Sequence, residues 1–255
     1  MAFHTTSEPR VALTGHLEEL RTRLLTAILA LVAGCAVGWW LYPTAYHLVA
    51  AAVLDSVTAH GGIVVMPDPT EGFYVQVKMS AVLGLVLASP IILWQLWGFI
   101  APGLTAAERR AAAPLVPVVC LLFLIGAGVA LLLMPAVMQF FLGFTPTGVH
   151  VYLDFQHSIN LPLKVILAFG LAFQLPLAVL GLVLLRVISP QLLLHHWRMA
   201  VVVLSVLAAV ITPTWDIFSM LIMLVPLVIL YFGTVFLAFR LVREPAPVIN
   251  AGEHA

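Results

Sequence analysis

Six stretches without an ionised side chain dominate this sequence: Leu24 to Leu41, Met79 to Ile100, Ala111 to Met134, Val165 to Leu185, Met199 to Thr212 and Ile217 to Phe239. A helix crossing roughly 30 Å of hydrocarbon needs about 20 such residues. In lipid, only helices and closed barrels satisfy every backbone polar group, and runs of this length read as helices. The pattern therefore predicts an all-α integral membrane protein with six transmembrane helices. Composition agrees, because 63% of the residues are apolar and 9% charged, against about half and about a quarter in soluble domains. The fifth run is short, and only Pro213, Thr214, Trp215 and Asp216 separate it from the sixth. Short fifth and sixth spans closing into a tight hairpin are the expectation.

Orientation follows from the cations, because loops on the cytoplasmic side retain Lys and Arg. Arg10, Arg21, Arg23, Arg109, Arg110, Arg186, Arg198, Arg240 and Arg243 fall on one side, nine of the eleven basic residues. Lys78 and Lys164 fall on the other, with Asp55, Asp68, Glu71, Asp154 and Asp216. Both termini are expected in the cytoplasm of a multi-pass protein of the inner (cytoplasmic) membrane. The expected organisation is a cytoplasmic N-terminal tail over residues 1–23 with an amphipathic helix, a six-span domain over 24–239, and a cytoplasmic tail over 240–255. The first run exceeds the h-region of a secretory signal and reads as a retained helix.

Proline shapes the bundle. Pro90, Pro176 and Pro226 sit well inside apolar runs and predict kinks, whereas Pro135, Pro190 and Pro213 read as loop punctuation. The outer loops from Tyr42 to Lys78 and from Pro135 to Lys164 are long, and residues 45–57 predict a helix lying on the outer surface as a cap.

Much chemistry is missing. No Gly-rich phosphate loop, no His-Glu-x-x-His and no Gly-x-Ser-x-Gly occurs, so no enzyme signature is present and no cofactor is implied. His195 and His196 are adjacent, which suits a solvated interface better than a metal. Cys35 and Cys120 read as small buried hydrophobes. Even charge gives no reason to expect nucleic acid. A small-solute transporter is the alternative reading, but a coupled ion needs a charged ligand near mid-membrane. The one strongly polar mid-span side chain is Gln174.

Two segments at the cytoplasmic edge carry more. In His16-Leu-Glu-Glu-Leu-Arg-Thr-Arg23, Leu13, Leu17, Leu20 and Leu24 form an apolar stripe at helical spacing, leaving the polar residues on an exposed face. Glu19 and Arg23 are four apart, the spacing of a surface ion pair. In Phe99-Ile-Ala-Pro-Gly-Leu-Thr-Ala-Ala-Glu-Arg-Arg110, Thr105 and Glu108 fit a capping box opening the third span. Spacing alone leaves both structural and ligand-binding readings open.

These residues resemble the TatC family, the multispanning receptor subunit of the twin-arginine protein translocase. The likeness runs from about Leu13 to Phe239. Besides the two segments above, it is carried by Pro69-Thr-Glu-Gly-Phe73, Ala88-Ser-Pro-Ile-Ile-Leu-Trp-Gln95, Ala168-Phe-Gly-Leu-Ala-Phe-Gln-Leu-Pro176, and Thr212-Pro213 followed by Asp216-Ile-Phe218. The resemblance implies a kinked, glove-shaped bundle that binds the Arg-Arg signal peptides of folded proteins at its cytoplasmic face. It places the signal-contacting positions on Glu19, Glu108, Arg21 and Phe99, and partner contacts on Gln174 and Asp216. It also implies single-span partners of the TatA and TatB type, an oligomeric Tat complex and dependence on the proton-motive force. Two departures are evident. The mid-span position most often Glu in this family is Gln174 here, which keeps the hydrogen-bonding capacity and removes the charge. The turn from Pro213 to Asp216 is one residue longer than in some relatives.

Overall fold

Each charge-free run is helical, the third and fourth in two pieces, and most of the helices continue past the runs into the polar margins. The computed structural model describes residues 8–212 and 216–241, with side chains from residue 18 onward except at 103, 107, 108 and 111. In chain order the elements are α1 (Glu8–Ala59), β1 (Ile63–Val65), α2 (Glu71–Ile100), a 3-10 turn (Ala101–Gly103), α3 (Ala106–Ala112) and α4 (Leu115–Leu142). They are followed by β2 (Tyr152–Asp154), α5 (Phe155–Ala172), α6 (Gln174–Leu184), α7 (Pro190–His195), α8 (Trp197–Ile211) and α9 (Ile217–Leu241). Among the described residues five passes are long and apolar enough to cross a membrane, with α5 and α6 counted together, and α8 is a shorter apolar helix.

Several boundaries differ from expectation. No separate cap helix exists over residues 45–57, because α1 runs unbroken through Pro43 to Ala59. At 1.5 Å per residue its 52 residues reach about 78 Å, far beyond the hydrocarbon. The same continuity joins the expected N-terminal tail helix to the first span. Pro135 lies inside α4 and is not loop punctuation, which hydrocarbon tolerates when neighbouring helices re-satisfy the freed carbonyl. The third span is divided: Pro114 stands at the N-cap of α4 and separates it from the short α3. The fourth span breaks at Phe173, and Pro176 falls in the first turn of α6, where its missing N–H costs no helical bond. The sixth span is not short, since α9 has 25 residues, whereas the 15 residues of α8 rise only about 22 Å. The turn residues 213–215 lie outside the described residues.

A two-stranded parallel ladder, which the hydropathy pattern does not announce, ties the two long outer loops together. Ile63 pairs with Tyr152, Val64 with Leu153 and Val65 with Asp154. Asp154 then caps α5, accepting from the His157 amide at 2.7 Å. The ladder marks one end of the bundle. The main core gathers near it, with Val53 and Val57 of α1, Val75 and Met79 of α2, Met134 of α4 and Ile159 of α5 almost wholly buried. A second cluster, built on Leu180, Val183 and Ala238 with Leu115, Ile188 and Leu193 against it, closes the opposite end.

The largest interface joins α1 to α2, and glycines set its closeness. A Cβ on Gly34 would stand 2.5 Å from the Gly84 carbonyl oxygen, one on Gly38 2.6 Å from the Ser80 oxygen, and one on Gly84 2.5 Å from the Cys35 nitrogen. Backbone therefore meets backbone here, the contact that small residues provide in lipid. The Gly34-x-x-x-Gly38 spacing was the available sign.

Candidate functional site

The end opposite the ladder collects the residues singled out at the cytoplasmic edge. Glu19 and Arg23 lie on α1, Phe99 lies one residue before the end of α2, and the turn Ala101–Gly103 leads through Leu104 and Thr105 into α3, which carries Glu108. This short turn after α2 is what brings Phe99 and Glu108 to one edge. Thr105 stands immediately before α3, and its carbonyl accepts from the Arg109 amide at 2.9 Å. The expected capping box thus falls at the start of α3, a separate short helix, and not at the start of the third span itself. The Glu108 side chain lies outside the described residues.

Glu19 and Arg23 are paired. The Arg23 Nη2 donates to Glu19 Oε1 at 2.6 Å and its Nε donates to the same oxygen at 3.1 Å. Two charge-assisted bonds on a partly exposed carboxylate bind more firmly than a solvated pair. The guanidinium lies against Gly98 of α2, where any Cβ would collide with it. This corrects the expected division of faces. Glu18, Arg21 and Thr22 are exposed as predicted, but Glu19 and Arg23 are half-buried, while Leu20 and Leu24 are 40% and 56% exposed. The leucines lie on the outward face, where a membrane protein can leave apolar side chains, and the ion pair turns toward Gly98, so helical periodicity keeps its spacing and reverses its direction. Thr22 donates its hydroxyl to the Glu18 main-chain carbonyl and not to that carboxylate. Arg109 and Arg110 are exposed on α3, and Phe99 is half-buried beside Gly98.

Gln174 and Asp216 stand elsewhere. At the start of α6, the Gln174 amide donates to the Val119 carbonyl of α4 at 3.3 Å and to the Gly170 carbonyl at 3.4 Å. Its nitrogen is thus engaged within the bundle. Asp216 caps α9, with Oδ1 accepting from the Ser219 amide at 2.7 Å. Its Oδ2 and the Ser219 hydroxyl are buried and find no hydrogen-bond partner among the described residues. Neither residue joins the Glu19 edge. His195 and His196 are exposed and carry no metal-ligand grouping, and among the described residues no cluster suited to a metal occurs. Reading the sequence missed Gly98, whose lack of a side chain admits Arg23; its place beside Phe99 was the only hint.

Apolar passes, a glycine-sealed helix crossing and a polar edge of helix ends define a multi-pass α-helical membrane protein. The family profile described as Sec-independent protein translocase protein (TatC) matches residues 15–226. A TatC from Xylanimonas cellulosilytica is 36% identical over 247 residues, covering 93% of this chain and 88% of that protein. The TatC of Aquifex aeolicus is 33% identical over 242 residues, covering 94% and 99%. A crystal structure of the twin-arginine translocase receptor TatC in DDM superposes with a TM-score of 0.74 at 33% identity, covering 88% of this chain and 99% of that one. The chain belongs to the TatC family, and so is a component of Sec-independent protein translocation and not an enzyme.

Proposed function

We propose that this chain is the receptor subunit of a twin-arginine translocase, binding the Arg-Arg signal peptides of folded proteins at the edge formed by Glu19, Arg21, Phe99 and Glu108. In this reading it assembles with TatA- and TatB-type single-span proteins into an oligomeric complex, and export draws on the proton-motive force. The observation that supports the reading is the contact of Arg23 on α1 with Gly98 near the end of α2, from which the turn Ala101–Gly103 leads directly into α3, so that Glu19 and Glu108 lie on helices at the same end of the bundle. Two carboxylates on separate helices suit two adjacent guanidinium groups, which bind carboxylates bidentately where ammonium groups cannot. Arg23 holds Glu19 through one oxygen and fixes its rotamer, which lowers the ordering cost of binding. Gln174 and Asp216 are assigned to partner contacts, the second through the terminus of α9 that it caps. The test is photocrosslinking of a signal peptide carrying a photoreactive residue beside its arginine pair. Adducts concentrated on residues 16–23 and 99–110 are expected, and adducts confined to the ladder end would overturn the reading.

A further inference from the structure

A small cavity of about 10 Å³ lies where the end of α8 and the start of α9 meet α4 and α5. Its wall is apolar, with Ala130 of α4 and Ala168 and Phe169 of α5 among the lining, except for two hydroxyls. They belong to Thr212, the C-cap of α8, and Ser219 in the first turn of α9. Both residues are closed off from the surface, at 6% and 7% exposed. The Thr212 hydroxyl donates its proton to the Ala208 carbonyl at 2.8 Å and keeps its lone pairs as acceptors. The Ser219 hydroxyl is buried and finds no partner among the described residues. An open donor and an open acceptor therefore share one cavity.

Burying a hydroxyl without a partner is costly, and a ligand of the right size and polarity removes that cost. Size and chemistry together choose the ligand. The volume is about the least that admits one water molecule, and a buried water needs about two to four polar partners. A hard cation takes about six oxygens or more, whereas the described lining offers two hydroxyls and no carboxylate. Position supplies the water: Ser219 stands 22 residues before the end of α9, about 33 Å, which sets it at the border of the hydrocarbon on the ladder side. We propose that this cavity binds a single water molecule, which donates to Thr212 Oγ1 and accepts from the Ser219 hydroxyl. The water joins the end of α8 to the start of α9 where both pack against α4 and α5. A larger cavity of about 180 Å³ between α1, α2, α4 and α5 is lined by apolar residues alone, so polarity and not volume decides which of the two is wet. Ala127 of α4 lines that cavity, and Ala130, one turn further on, lines this one.

The test is water-edited solid-state NMR of the purified full chain in liposomes, with alanine methyl groups labelled. At short mixing time the methyls of Ala130 and Ala168 should gain magnetisation from water and that of Ala127 should not, although all three are buried. Ser219→Ala removes one partner and leaves the cavity no smaller, so a drop there cannot come from filling. Transfer to Ala130 and Ala168 should then fall at least about fivefold, because one hydroxyl is too few to hold a buried water. Thr212→Val, nearly the same shape without the hydroxyl, should give the same loss. Ala130 and Ala168 no wetter than Ala127 would overturn the proposal, and that comparison needs no variant. Transfer unchanged in either variant would overturn the bridge.

Discussion

Replacing Gly84 by Ala places a methyl group where the backbone of α1 already stands. The new Cβ would be 2.5 Å from the Cys35 nitrogen and 2.7 Å from its Cα, about 1 Å inside ordinary contact. Backbone cannot rotate aside as a side chain can, so α1 and α2 must part by roughly that distance at their crossing. A gap of about 1 Å forfeits up to about half of each dispersion contact it opens, and overpacking of this kind costs about 1 to 3 kcal/mol. Alanine returns about 1 kcal/mol through its better helix propensity. Gly233→Ala in α9 supplies the control, since nothing lies within 4 Å of its Cβ; the propensity gain there meets no opposing term. Gly84→Ala should therefore be about 1 to 3 kcal/mol less stable than Gly233→Ala, measured by reversible unfolding in mixed micelles at one temperature. Equal stability of the two variants would refute the claim that backbone contact holds α1 to α2.

Three further outcomes follow from the geometry. Gln174→Leu loses bonds to Val119 and Gly170 and should cost about 1 kcal/mol of stability while weakening crosslinks to a single-span partner; crosslinks that persist unchanged would confine Gln174 to pairing within the bundle. Single cysteines at Asp68 and Thr105, in a background lacking Cys35 and Cys120, should react with an impermeant thiol reagent from opposite sides of the membrane, and labelling from one side would refute the charge-derived orientation. The Thr70 amide donates to Asp68 Oδ1 at 2.8 Å and holds that carboxyl below its ordinary 3.8. A depressed value means the turn contact is intact at neutral pH and is lost as acid passes below that point. The Thr70 amide resonance should accordingly titrate with a midpoint under 3.8, and a midpoint at or above it would contradict the assignment.

What the sequence revealed and what it hid have physical causes. Absence of charge locates the hydrocarbon crossing, so the runs from Met79 and from Ile217 find the cores of α2 and α9. It says little about helix ends, because α2 already begins at Glu71 and carries Lys78 ahead of the charge-free run. Proline is ambiguous for the same reason: Pro43 and Pro135 sit inside helices, while Pro114 divides one, and only the surrounding packing separates these cases. The ladder between Ile63–Val65 and Tyr152–Asp154 joins strands far apart in the chain, beyond any local periodicity. At the site, spacing showed that Glu19 and Arg23 can pair. It could not show that the pair turns toward Gly98, since periodicity fixes a face and lipid decides which face is inward.

The receptor claim is tested most directly by signal-peptide affinity at fixed salt, for the unaltered chain, Glu108→Gln and Glu19→Gln, with melting temperature as the control for folding. A carboxylate that receives a guanidinium in a partly desolvated site contributes about 1.5 to 3 kcal/mol, so each variant should bind an Arg-Arg peptide roughly tenfold or more weakly and lose preference over a Lys-Lys peptide. Gln serves a capping box as well as Glu, so a purely structural role for Glu108 predicts no change. Affinity and Arg-Arg preference retained in both variants, at unchanged melting temperature, would contradict the account.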